Sequence, residues 1–154
     1  VNSRRKGADG ERELVRQLHE ALGVRMVRNL EQSRRGGHDL IPDPDATGPV
    51  ARSLARYAFE VKRHSRATPY LLKGWWAQSC AQAERVGLMP CLCYRENREG
   101  WRVVLPLAAL WPGLPDGDGL DGTVTLSVAA FAAIVREGGS APHFPVKNRR
   151  ETGT

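Results

Sequence analysis

The chain has 154 residues, of which 41% are hydrophobic, 26% charged and 6% aromatic; this make-up fits one globular domain and argues against a multidomain enzyme, a wholly disordered chain or a membrane span of about 18 apolar residues. The net charge of +6 is uneven: residues 1–107 hold nineteen basic and twelve acidic side chains, and residues 108–154 hold four and five. A basic field over the first two thirds favours a polyanion, most often nucleic acid, although a GC-rich genome would also produce a chain in which 19 of 23 basic residues are arginine.

No apolar run follows Arg4, Arg5 and Lys6. No secretory signal is therefore read, and a cytoplasmic location in a bacterial or phage-infected cell, with no membrane contact, is expected. Leu14, Val15, Leu18, Ala21 and Leu22 then recur with a 3.6-residue period and Gly23 closes the run, which predicts an amphipathic helix over residues 8–22. Residues 24–30 and 38–41 read as strands on either side of a polar loop that ends in Gly36 and Gly37. Three prolines and two aspartates make residues 42–53 an exposed connection without extended regular structure.

Tyr57, Phe59 and Val61 alternate with Ala58, Glu60 and Lys62, a strand with one apolar face and one polar face. Helical spacing returns over residues 71–86 through Leu72, Trp76, Cys80 and Ala83, with Gly87 as the stop. Of Trp75 and Trp76, one is expected in the core and the other at an interface or stacked on DNA. Residues 89–94 and 101–105 form a hairpin. A Gly- and Asp-rich loop over residues 112–122 leads to a strand over 123–126 and a helix capped by Ser127 and running to Arg136, while residues from Gly138 on have a loose composition. The three cysteines, Cys80, Cys91 and Cys93, form no C-x-x-C pair, and the four histidines are scattered. They read as reduced structural thiols with no zinc site.

Chemistry is suggested by four residues. Glu11 lies three and seven residues before Leu14 and Leu18 and so shares the buried stripe of its helix, whereas Glu13 groups with Arg16, Gln17 and Glu20 on the wet face. Asp39 follows the Gly-Gly hinge, and Glu60 and Lys62 sit two apart on one face of the central strand. Clustered carboxylates need a cation, and an all-oxygen set selects Mg²⁺, with Mn²⁺ as a substitute, over Zn²⁺. Arg4, Arg5, Lys6, Arg28, Arg34, Arg35, Arg63 and Arg66 could bind phosphates around such a cleft.

Asp39, then Glu60-Val61-Lys62, preceded by a helix bearing Glu11, resembles the PD-(D/E)XK nuclease superfamily. The opening Arg5-Lys6-Gly7-Ala8-Asp9-Gly10-Glu11-Arg12-Glu13-Leu14-Val15 is similar to the start of archaeal-type Holliday junction resolvases. The resemblance spans residues 4–105; His38 stands where the superfamily name has proline, and the loop between Arg28 and Asp39 is longer than in the resolvases. It implies an α/β, restriction-endonuclease-like core with a mixed central sheet flanked by helices, and the elements read along the chain follow the order α-β-β-β-α-β-β. The core would occupy residues 1–107, a strand-helix extension packed on it residues 108–138, and a loose tail residues 139–154. The implied activity is metal-dependent cleavage of DNA, branched DNA in the resolvases, by a homodimer.

By the same resemblance Glu11, Asp39 and Glu60 hold the metal, the Val61 carbonyl completes its coordination and Lys62 is the catalytic lysine. Arg28 matches a DNA-contacting position, Ser33 a serine of a loop, and Gln78 or Gln82 a glutamine that orients the nucleophile or touches phosphate. Two other readings stay open. One is a nuclease for linear or single-stranded DNA; the other is a non-catalytic DNA-binding module of the same fold.

Overall fold

The computed structural model describes residues 3–31, 37–111, 113–114 and 119–137. Helix α1 runs over Ser3–Leu22 and buries Leu14, Leu18 and Leu22. It starts five residues before the expected boundary, because Arg4, Arg5 and Lys6 are themselves good helix formers. Gly23 ends it in the left-handed conformation (φ 69°) and donates its N–H to the His19 carbonyl at 2.8 Å.

Strands β1 (Met26–Arg28) and β2 (Leu40–Pro42) are shorter than the strands expected over residues 24–30 and 38–41, and they pair antiparallel. The expected exposed connection over residues 42–53 is corrected in part. Pro49–Leu54 is a one-and-a-half-turn helix, α2, that buries Ala51, Ser53 and Leu54. Its first position is the proline itself, where a missing N–H costs nothing.

β3 (Tyr57–Arg63), helix α3 (Pro69–Val86) and β4 (Met89–Arg95) form a crossover unit whose strands run parallel, with Glu60 opposite Leu92 and Lys62 opposite Tyr94. β5 (Arg102–Pro106) and β6 (Thr123–Ser127) continue the sheet antiparallel, giving the order β1-β2-β3-β4-β5-β6. Helix α4 (Val128–Glu137) then packs beside α1, and the Ser127 hydroxyl accepts the Ala130 N–H at 3.1 Å, as the capping signal predicts. This is a mixed open six-stranded sheet flanked by helices.

Two layers of core follow. Under α1 and α4, Phe131 meets Tyr57 and Phe59 edge-on at 5.4 and 6.1 Å, beside Cys91 and Cys93, which are free thiols with sulfurs 3.9 Å apart. Under α3, Trp75 and Trp76 pack with Leu92 and Val104. Both tryptophans are therefore core residues, which corrects the expectation that one is an interface or stacking residue. The face of β3 that carries Ala58 and Glu60 is likewise no wet face: α3 covers it, as is usual where a parallel pair is bridged by a helix.

Among the described residues no helix is long and apolar enough to cross a membrane. Residues 139–154, expected to be a loose tail, lie outside the described residues, as does most of the loop expected over 112–122.

Candidate active site

Asp39 sits at the entrance to β2, between two strands that both hold it. Its N–H donates to the Phe59 carbonyl at 2.7 Å, and its own carbonyl accepts the Asn29 N–H at 2.9 Å. Its carboxylate oxygen Oδ2 accepts the Val61 N–H at 2.7 Å, so side chain and backbone together fix it against the middle of β3. That is the place where Glu60 is buried, with 3% of its surface exposed. Burial, and then the neighbouring Glu60 charge, push the Asp39 carboxyl up to about 7; the Val61 N–H acts in the opposite sense.

Glu60 is a charge inside a core layer, and Lys62, two residues on and on the same face, supplies its counter-charge: Nζ lies 2.6 Å from Oε1. The other oxygen, Oε2, is buried without a hydrogen-bond partner. Glu11 comes from α1, one turn before Leu14. Its side chain is 15% exposed, and Arg28, the last residue of β1, places Nε 2.7 Å from its Oε2. Glu11, Arg28, Asn29, His38 and Asp39 wall a cavity of about 170 Å³, room for several waters or a hydrated ion. Glu60 does not line this cavity; its charge acts on Asp39, which does.

The carboxylates of Glu11, Asp39 and Glu60, two of them with an oxygen lacking a hydrogen bond, make an all-oxygen donor set suited to a hard cation. As they are placed, no group of three or more His, Cys, Asp or Glu side chains among the described residues is drawn close enough to hold one. Glu11 and Glu60 are engaged instead by Arg28 and Lys62. The donors fit by chemistry, and their arrangement is that of carboxylates carrying counter-charges of the protein's own. Val61 joins the site through its backbone N–H.

Other expected residues fall in different places. Arg4 and Arg5 are exposed on the first turn of α1 and Lys6 is half-buried. Arg63 points to the opposite face of β3 from Lys62. Its stem lies under Gly10, where an added Cβ would come within 3.0 Å of the Arg63 Cβ, so glycine is the residue that lets α1 approach. Arg66 is exposed, while Ser33, Arg34 and Arg35 lie outside the described residues. Gln78 is exposed, and Gln82 is buried with Oε1 lacking a partner. Glu13 is not on a wet face: it pairs with Arg95 and ties α1 to the end of β4.

His38 is buried, with Nε2 3.4 Å from the Asn29 side chain, and burial holds its pKa below the usual value. Asn29 is the wall that sequence reasoning missed; its position directly after Arg28 was the available signal. Tyr70, 85% exposed, and not either tryptophan of α3, is the open aromatic near the start of that helix.

Comparison with solved structures finds Hjc, a Holliday junction resolvase from the archaeal hyperthermophile Archaeoglobus fulgidus. It is 21% identical, with a TM-score of 0.49, over 81% of this chain and 97% of that chain. No curated protein matches the chain. Residues 2–120, which include α1 and the strands bearing Asp39, Glu60 and Lys62, match the model of the phage PDDEXK endonuclease family. The chain belongs to this endonuclease family.

Proposed function

We propose that the protein is a divalent-metal-dependent DNA endonuclease that cuts branched DNA of the Holliday-junction type and acts as a homodimer in the cytoplasm of a bacterial or phage-infected cell. The observation that supports the nuclease site is that Glu60 and Glu11, from two other elements, both act by their charge on the Asp39 carboxyl, with Lys62 on the buried Glu60. A surface built only to hold DNA gains nothing from three carboxylates that repel it. Branched DNA is the substrate that the opening motif from Arg5 to Val15 implies, and paired nicks across a junction need two sites, which a dimer supplies.

Glu11, Asp39 and Glu60 are the residues that would hold Mg²⁺, which supplies Lewis acidity and charge neutralisation at the phosphate. The Val61 N–H holds Asp39 in place for that role. Lys62 aims its ammonium at the site, where it orients the attacking water or stabilises charge on the pentavalent phosphorus. The water oxygen bonds to phosphorus in line as the bond to the 3′ oxygen breaks. That oxygen leaves with a proton, giving 3′-hydroxyl and 5′-phosphate ends.

The test is cleavage of a labelled four-way junction beside linear duplex and single strand, with sedimentation of the same preparation. Symmetric nicks in the junction by a dimer are expected. Equal cutting of linear duplex or single strand would keep the chemistry and reassign the substrate, and binding without cutting on any of the three would point to the non-catalytic module.

A further inference from the structure

The two ion pairs of the site differ in how firmly they are kept. Lys62 is largely covered, whereas Arg28 exposes 62% of its side chain while the Glu11 it touches is nearly enclosed. Although Arg28 Nε lies 2.7 Å from Glu11 Oε2, that oxygen has no aligned hydrogen bond. The pair is a charge contact and lacks the directed bonding that makes guanidinium-carboxylate pairs strong. β1 is also one of the two edge strands of the sheet and Arg28 its last residue, so the side chain can swing without disturbing a ladder.

Glu11 cannot serve a guanidinium and a cation with the same oxygen. Arg28 occupies it in this structure. We propose that Arg28 exchanges partners: it neutralises Glu11 in the metal-free protein, yields that carboxylate to an entering divalent cation, and then takes a DNA backbone phosphate beside the cavity. The planar fork of a guanidinium suits phosphate as well as carboxylate, so the freed side chain keeps a matched partner. Cation and DNA then assist each other's binding, by the same factor in each direction, through this side chain. The inference rests on the metal-dependent reading above.

Calorimetry with Mn²⁺ alone, without DNA, separates the two. Arg28→Gln removes the competitor for Glu11 and is expected to bind Mn²⁺ at least about fivefold more tightly than the wild type, whereas Arg28→Lys stays near it. Anisotropy of a labelled duplex should show a large gain in affinity on adding Ca²⁺ to the wild type, and little gain for Arg28→Gln. In EDTA, Glu11→Gln should free Arg28 and tighten duplex binding, and the gain should vanish in the double variant Glu11→Gln/Arg28→Gln. That arm decides the matter if the single Arg28 variant does not fold. Unchanged or weaker Mn²⁺ binding by a folded Arg28→Gln, or a Glu11→Gln gain that survives in the double variant, overturns the exchange and leaves the metal-dependent reading standing. No Mn²⁺ binding by either protein overturns both.

Discussion

Asp39 is the residue on which the site turns, because its carboxyl is held where ionisation is costly. Its pKa is raised from 3.8 to about 7, so the folded chain keeps a proton that the unfolded chain has already lost. This group therefore favours the metal-free fold fully below pH 4, and the advantage is lost as pH rises to about 7. Between pH 4.5 and 7.5 the melting temperature of metal-free wild type should fall relative to that of Asp39→Asn, which keeps an acceptor for the Val61 N–H; parallel profiles would contradict the account. In the proposed metal-dependent reading a cation displaces the same proton, so apparent Mg²⁺ affinity should weaken by about tenfold per pH unit below 7. Glu11 was legible as a carboxylate on an apolar stripe, and Glu60 with Lys62 as neighbours on one strand face. The depth of Glu60, 3% exposed, was not: strand alternation says which residues share a face but not that a later helix will cover it.

At the scale of elements, α1, β3, α3 and the β4–β5 hairpin were readable because each carries a strong period or a turn with definite chemistry. α2 was not, since prolines and aspartates mask a helix that begins on a proline, and its burial depends on α4, some eighty residues away. The strand and helix of residues 123–137 were expected as an extension, and the structure builds them into the sheet edge and the α1 layer. Phe131 is fully buried against Tyr57 and Phe59, the two aromatics of the strand that carries Glu60. Phe131→Ala should accordingly cost about 3–5 kcal/mol in denaturant unfolding. A loss below about 1 kcal/mol would mean that α4 contributes little to holding β3.

For the whole molecule, the basic excess of residues 1–107 gains a location. Arg4 and Arg5 lie at the start of α1, Arg28 lies at the end of β1, and Arg66 follows β3. DNA affinity should therefore fall steeply with salt, and removing one phosphate contact, as in Arg66→Gln, should lower the log-log slope by about 0.9. A slope unchanged by that substitution would place the DNA on another face. Charge totals alone could not supply this placement, because they do not say which arginines the fold spends on its own carboxylates, as it does Arg95 on Glu13 and Arg28 on Glu11.

In the proposed function Glu11, Asp39, Glu60 and Lys62 form one hydrolytic, cation-dependent site. Its most direct test is gel-resolved cleavage of labelled DNA, across junction, duplex and single strand, by wild type with Mg²⁺, wild type with EDTA, and folded Lys62→Ala and Glu60→Ala. Cutting is expected in the first lane only, with each variant reduced by at least about a hundredfold. Full cleavage by Glu60→Ala, or cleavage that persists in EDTA, would contradict it.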